Sequence, residues 1–212
     1  FATGIKPENS AIAVTAGLLG TLNRDELQGV VAHEMSHIIN RDVLVMTFAG
    51  MMLGAITLMA EVFTRSLWFG GGSRYKSKSS DKGGQAQIII LVLAIALAIL
   101  GPIMAQLLYF AISRKREYLA DASAVRLTRY PDGLASALEK ISGSNLDLKT
   151  ANKVTAPMYI INPLKKKGMQ LSNVTSTHPP ITERINILRS MTQGVNYANY
   201  QNAFNSVKGK SS

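Results

Sequence analysis

The stretch that decides the fold is His33-Glu34-Met35-Ser36-His37, a pair of histidines four residues apart with a glutamate after the first. Residues i and i+4 lie one above the other on a helix, so both imidazoles can reach a single cation. The glutamate emerges about 100° around the helix. There it can take a proton from water without binding the cation itself. The spacing therefore predicts a helix that carries a hydrolytic zinc site.

The same pattern also arises by chance on solvated or half-buried helices. Here, two of the three histidines in the chain fall within it. The residues around them are strongly apolar: Leu27, Val30, Val31, Ile38 and Ile39. A largely buried helix does not carry two histidines and a glutamate without partners. This setting favours a metal site over a chance pattern.

The composition narrows the choice of ligands and partners. The 212 residues include no cysteine, so a zinc ion would have to be held by imidazole and carboxylate groups. The formal charge of +10 suits either a nucleic acid or an anionic membrane surface. Aromatic residues are few and no nucleic-acid-binding motif is present. We therefore expect a lipid bilayer as partner and no nucleic acid.

Two long segments without charge predict membrane spans. Val43–Ala60 has eighteen such residues and Gly83–Ser113 has thirty-one, against about twenty needed to cross a bilayer. The alternative is a buried helical hairpin of a soluble protein, for which both segments are long. The prediction is a transmembrane hairpin over residues 43–112, with spans at about 43–63 and 88–112 and an exposed loop at 64–87.

This hairpin would interrupt a catalytic domain. Residues 1–42 form its first part, with a strand at 11–16 and the motif helix, which a capping box of Asn23 and Glu26 starts near Arg24. We expect that helix to run directly into the first span. Residues 113–192 form the second part, with helices at 134–141 and 181–191 around a loop-rich stretch. Residues 193–212 are polar and predicted to be a mobile tail.

A catalytic zinc site needs a third protein ligand. A histidine six residues after His37 is excluded, because Val43 stands there, and Glu61 lies at the far end of a predicted span. Glu117 is the better candidate, because Asp121 follows on the same helical face. Glu117 can bind the metal while Asp121 accepts the free N–H of one histidine. Alternatively, both are surface charges that pair with Arg114 or Arg116.

The hairpin favours Glu117 as the ligand. His37 lies six residues before the first span, about 9 Å of helix, and Glu117 five residues after the second, about 7.5 Å. A two-span hairpin returns the chain to the side that it left, so both residues lie at a similar height on the same face. His178 stands before two prolines and a helix start, where it either stabilises an oxyanion or is an ordinary exposed histidine.

These segments in combination resemble a known family. HEMSH, the hydrophobic hairpin, SRKREYLADASAVRL and THPPITERI are similar to the HtpX-type membrane zinc metalloproteases, relatives of the CAAX prenyl proteases. FATG and AIAVTAGLL resemble the segment that precedes the motif helix there. The resemblance extends to about Met191. It implies one Zn²⁺ per chain, held by His33, His37 and Glu117, with Glu34 as the general base.

The resemblance also implies a mainly α fold with a small β-sheet (α+β), in which a zincin-like catalytic domain is interrupted by the transmembrane hairpin. Asp121 would support a ligand, while His178 and Arg184 would line the catalytic cleft, with His178 stabilising the transition state. The family is associated with stress response and quality control of misfolded membrane proteins. It is multi-pass in the cell (inner) membrane, with the active site facing the cytoplasm. We expect its two upstream spans and the rest of the domain before Phe1.

Two other functions fit parts of the sequence. A catalytically silent membrane scaffold would have a structural zinc site closed by four protein ligands, and His178 is the evident fourth. In such a scaffold, Glu34 would have no evident role. A prenyl-protein protease would share the chemistry, but a single hairpin suits a large intramembrane chamber poorly. The charges flanking the spans favour no single orientation, because Arg65, Arg74 and Lys76 in the loop are balanced by basic residues at the other ends.

Overall fold

In the computed structural model the chain is mainly helical, and residues 1–4, 6–70, 84–143, 177–191 and 197–209 are described, without the side chains of 67–70 and 84–87. Strands β1 (Ala2–Thr3) and β2 (Ala11–Ile12) pair antiparallel, with Ala2 opposite Ile12. The helices are α1 (Ala16–Thr21), α2 (Arg24–Ile39), α3 (Asp42–Gly70), α4 (Gly84–Thr128), α5 (Pro131–Gly143), α6 (Ile181–Arg189) and α7 (Tyr197–Lys208). The prediction of a mainly α fold with a small sheet is confirmed.

The strand predicted at 11–16 is shorter than expected. It ends at Ile12, and a helix begins at Ala16. The reason is Thr15, whose Oγ1 accepts a hydrogen bond from the backbone N–H of Leu18 at 3.3 Å. A threonine in this capping position starts a helix and therefore ends the extended backbone.

The motif helix α2 begins at Arg24, as the capping box predicts. Asn23 Oδ1 accepts from the backbone N–H of Glu26, and Glu26 Oε2 accepts from that of Asn23, both at 2.9 Å. Lys140 of α5 also donates to Glu26 Oε2, at 2.8 Å. Burial alone would raise the pKa of Glu26, but the hydrogen bonds from Lys140 and Asn23 hold it below its usual range. The start of α2 is thus tied to α5.

The expectation that α2 runs directly into the first span is wrong. The helix ends at Ile39, Arg41 has a φ of 54°, and α3 begins at Asp42. A left-handed residue cannot continue a right-handed helix. At the break, the backbone carbonyl of Asn40 accepts a hydrogen bond from Nη2 of Arg116 at 2.6 Å. The break changes the direction of the Asp42 side chain relative to the motif.

The core around α2 is built with α5 and α6. Its fully buried side chains include Leu134 and Leu138 of α5 and Ile187 and Leu188 of α6, each worth about 1.5–3 kcal/mol when removed from water. Helices α2 and α5 approach so closely that a Cβ on Gly29 would lie 2.7 Å from the backbone nitrogen of Leu134. The motif helix is therefore packed backbone to backbone against α5.

The polar tail predicted to be mobile contains helix α7. Tyr200 and Ala203 are buried. Phe204 packs edge-on against Tyr118 of α4 with ring centroids 5.0 Å apart, and Lys208 pairs with Glu183 at 2.8 Å. The prediction was wrong for these residues because it weighed the many asparagines and missed apolar positions spaced three and four apart. Of the loop-rich stretch predicted at 142–176, Ser142 and Gly143 end α5, and residues 144–176 lie outside the described residues.

Contacts divide the chain into two compact units, Phe1–Val45 with Ala111–Ser212, and Met46–Phe110. The second unit consists of the apolar parts of α3 and α4. Two helical stretches, Asp42–Ser66 and Ile88–Thr128, each contain an 18-residue window apolar enough to cross a membrane, with window mean hydropathies of 2.1 and 3.0. Apolar side chains here are largely exposed, such as Met59 at 64% and Ile89 at 67%. Such a surface suits lipid far better than water. The loop predicted at 64–87 is wrong at both ends, because α3 continues to Gly70 and α4 begins at Gly84; residues 71–83 are not described.

Candidate metal centre

Three predicted ligands meet in the first unit. His33 and His37 come from successive turns of α2 and Glu117 from α4. The Nε2 atoms of the two histidines are 3.2 Å apart. The carboxylate of Glu117 lies 3.7 Å from each, through Oε2 to His33 and through Oε1 to His37. Among the described residues Glu61, the alternative ligand, belongs to no such group.

The site is largely removed from solvent. His33 is 1% exposed and Glu117 7%, while His37 is half-buried. Glu34, the predicted base, is 5% exposed. It occupies the helical position after His33. Electrostatic interactions among these groups are therefore weakly screened.

Asp121 lies where the sequence predicts a supporting carboxylate. Its Oδ1 is 3.0 Å from Nδ1 of His33, and the side chain is completely buried. Accepting the Nδ1–H of His33 fixes the tautomer and leaves the Nε2 lone pair facing His37 and Glu117. Asp121 is thus placed against one histidine of the candidate site.

Arg184 was predicted to line the cleft, and the structure buries it in contact with Asp121 and Glu117. It donates to Asp121 through Nε at 2.8 Å and Nη2 at 2.7 Å, and to Glu117 through Nη1 at 3.2 Å. Nη2 also lies 3.5 and 3.4 Å from the two ring nitrogens of His33, so it faces the ring. Burial alone would lower the pKa of Arg184, but Asp121 and Glu117 hold it above its ordinary value.

The second histidine has a carboxylate partner that sequence reasoning missed. Asp42 Oδ2 lies 2.6 Å from Nδ1 of His37, and Asp42 also forms an ion pair with Arg116. In an uninterrupted helix, residues five apart point about 140° away from each other. The available signal in the sequence was an acid, Asp42, shortly after the motif helix. It points to a contact with His37 only once the helix is known to break at Arg41.

His178 is also brought to the site. Its Nδ1 lies 3.2 Å from Oε2 of Glu117, and 19% of its side chain is exposed. The segment before it is held by Ser113, whose Oγ donates to the carbonyl of Thr177 at 2.8 Å. His178 is thus a partly exposed group beside Glu117.

The donor set fits a zinc ion. Two ligand atoms at about 2.0–2.1 Å from one tetrahedral centre are about 3.3 Å apart, close to the observed 3.2–3.7 Å. Each histidine has a carboxylate at Nδ1, so two Nε2 lone pairs and the Glu117 carboxylate face one another. Arg184 pairs with the Glu117 carboxylate from one side, and the buried cluster of nitrogen and oxygen donors suits a metal cation as a further partner.

A pair of histidines and a glutamate, with a further carboxylate on each imidazole, is the donor set of a metallopeptidase. The family model described as Peptidase family M48 matches residues 1–192, and the chain belongs to that family. The resemblance to HtpX-type proteases is thereby confirmed, as is the membrane character that the two apolar helices indicate. The family also implies a metal.

The most similar curated relatives include several proteins named "Protease HtpX homolog". That of Dictyoglomus turgidum is 50% identical over 191 residues, covering 90% of this chain and 59% of the relative. That of Caldanaerobacter subterraneus subsp. tengcongensis is 49% identical over 193 residues, covering 91% and 62%. That of Streptococcus uberis is 46% identical over 191 residues, covering 90% and 63%. The chain thus spans about three fifths of these relatives' lengths. No solved structure matches it significantly.

Proposed function

We propose that this chain is the catalytic part of a membrane zinc metalloendopeptidase. The observation that carries the proposal is the meeting of His33, His37 and Glu117, with each histidine held through its Nδ1 by a carboxylate. One Zn²⁺ per chain would be bound there. The printed names of the relatives, proteases of the HtpX type, agree with this activity.

Each residue of the site has a separate role in the proposed hydrolysis of a peptide bond. Bound zinc supplies a Lewis acid, which polarises a carbonyl and lowers the pKa of water to about 7. The Glu34 carboxylate accepts a proton from the attacking water and passes it to the leaving nitrogen. His178, partly exposed beside Glu117, donates an N–H to the oxyanion that forms. Asp121 keeps the Nε2 atom of His33 directed at the metal.

We further propose a place for this chemistry. The catalytic domain is formed by residues 1–42 and 113–192, separated by the hairpin at 43–112, in a multi-pass protein of the cell membrane whose active site faces the cytoplasm. The substrates are misfolded membrane proteins in a quality-control role. If the catalytic domain in sealed vesicles were cleaved by protease only from the side opposite the cytoplasm, the orientation would be wrong.

The test of the activity is the substitution Glu34→Gln. It keeps the size of the side chain and the three ligands, so zinc should stay bound while cleavage of an unfolded membrane protein falls by about 10²–10⁴-fold. Asp25→Asn is the matched control, because Asp25 is an exposed acid on the same helix and should leave cleavage unchanged. Full cleavage by Glu34→Gln would remove Glu34 from the role of base.

A scaffold with a structural zinc site is the second candidate, favoured by the distance of 3.2 Å between His178 Nδ1 and Glu117. A structural site would be closed by His178 as fourth protein ligand. X-ray absorption of the zinc-loaded chain distinguishes the two. Three protein ligands with one water, unchanged in His178→Ala, support the protease. A loss of one nitrogen ligand in that variant supports the scaffold.

A further inference from the structure

The junction between α2 and α3 turns Asp42 back toward the metal centre. Arg41 adopts a φ of 54°, a conformation that costs a non-glycine residue roughly 1–2 kcal/mol. Without the break, Asp42 would point about 140° away from His37. With it, Oδ2 of Asp42 reaches Nδ1 of His37 at 2.6 Å. The unfavourable backbone at Arg41 is thus accompanied by a short contact to a candidate ligand.

Asp42 is itself held in place. It is 5% exposed, and its second oxygen, Oδ1, forms an ion pair with Arg116. Arg116 Nη2 also donates to the carbonyl of Asn40 at 2.6 Å, so the same guanidinium fixes both sides of the break. Arg116 immediately precedes Glu117 on α4. One turn of α4 therefore carries a candidate ligand and the group that holds Asp42.

We infer that Asp42 is a positioning residue for zinc binding, which fixes the tautomer and orientation of His37, and that Arg116 holds Asp42 for this task. The inference rests on the proposed zinc site. Asp42 would serve His37 as Asp121 serves His33, whose Nδ1 lies 3.0 Å from Asp121. With Nδ1–H donated to a carboxylate, the Nε2 of each imidazole keeps its lone pair for the metal and becomes a better donor.

A merely structural role for Asp42 makes different predictions. As the first residue of α3, its negative charge would stabilise the positive end of the helix dipole. Removing such a charge lowers thermal stability and leaves the metal site untouched. Asp25, in the first turn of α2, shares this helix-end position without touching a candidate ligand, so Asp25→Asn is the matched control.

The experiment measures zinc affinity of the full chain in detergent, by competition with a chelator, together with the visible spectrum of the Co²⁺-loaded protein. Asp42→Asn should weaken zinc binding by about 10–100-fold, the usual effect of losing such a partner, and should shift the Co²⁺ spectrum. Asp42→Glu should recover part of the affinity because it restores a carboxylate. Asp25→Asn should stay within about twofold of the wild type.

A zinc affinity of Asp42→Asn within about twofold of the wild type, with an unchanged Co²⁺ spectrum, would overturn the inference while leaving the zinc site standing. Failure of the wild type to bind one zinc per chain would instead overturn the proposed function. If Asp42→Asn does not fold, Arg116→Gln takes its place: Asp42 remains but loses its holder, and an affinity equal to that of the wild type overturns the inference.

Discussion

Arg184 is the residue on which the buried charges around the site converge. Its guanidinium donates twice to Asp121 and once to Glu117, and only 1% of it is exposed. Two carboxylates this deeply buried are tolerated only when a partner compensates their charge. The contacts of Arg184 with Glu117 and Asp121 therefore stabilise the fold. The same contacts hold a candidate ligand, Glu117, and the carboxylate beside His33, Asp121.

Arg184→Met should lower the free energy of unfolding by about 3–5 kcal/mol, because it leaves buried carboxylates without their partner. Arg189 offers a control on the same helix, since its pairs with Asp132 and Glu139 are exposed. Arg189→Met should cost at most about 1 kcal/mol. Unfolding of the full chain in detergent measures both. Equal losses in the two variants would show that the Arg184 contacts contribute no more than surface pairs.

Most residues of the candidate site can be predicted from the sequence. The four-residue spacing of His33 and His37 and that of Glu117 and Asp121 predict pairs on common helical faces, and the structure brings these residues together. Their roles in zinc binding stay predictions. Asp42 could not be found, because its contact with His37 depends on one left-handed residue that no spacing pattern reveals.

Helix α2 is positioned by a backbone contact with α5. A Cβ on Gly29 would lie 2.7 Å from the Leu134 nitrogen, and one on Gly133 would lie 2.8 Å from the carbonyl oxygen of Asp25. Neither neighbour is a flexible side chain that can move aside. Two glycines, each facing the backbone of the other helix, thus allow α2 and α5 to pack this closely.

Gly29→Ala should destabilise the protein by about 1–3 kcal/mol, the cost of overpacking, although alanine in a helix ordinarily gains about 1 kcal/mol over glycine. Gly20→Ala is the control, because nothing lies within 4 Å of its added Cβ, and it should be neutral or stabilising. The midpoint of thermal unfolding reports both. A Gly29→Ala variant as stable as Gly20→Ala would contradict the close packing.

The elements themselves were predicted unevenly, for physical reasons. The start of α2 follows from a local capping box, which the chain around Asn23 and Glu26 encodes fully. The end of β2 depends on the competing cap at Thr15. Helix α7 depends on packing of Phe204 against Tyr118, which is distant in sequence. The double capping box was thus readable from the sequence, whereas the single local cap at Thr15 and the tertiary contact of α7 were missed.

At the scale of the whole molecule, the helices that carry apolar stretches also carry residues of the site. Asp42 opens α3 and Glu117 lies toward the end of α4, and both helices contain a stretch apolar enough to cross a membrane. The chain spans 59–63% of the length of its relatives, so activity and substrates belong to the proposal.

The central claim is that His33, His37 and Glu117 bind one zinc ion. Its most direct test is the zinc content of the purified full chain, compared between the wild type, Glu117→Gln and the control Glu139→Gln, whose exposed carboxylate is outside the site. The account predicts about one zinc per chain in the wild type and the control. Glu117→Gln should lose it at the same free zinc concentration. Equal zinc in all three proteins, or none in the wild type, would contradict the account.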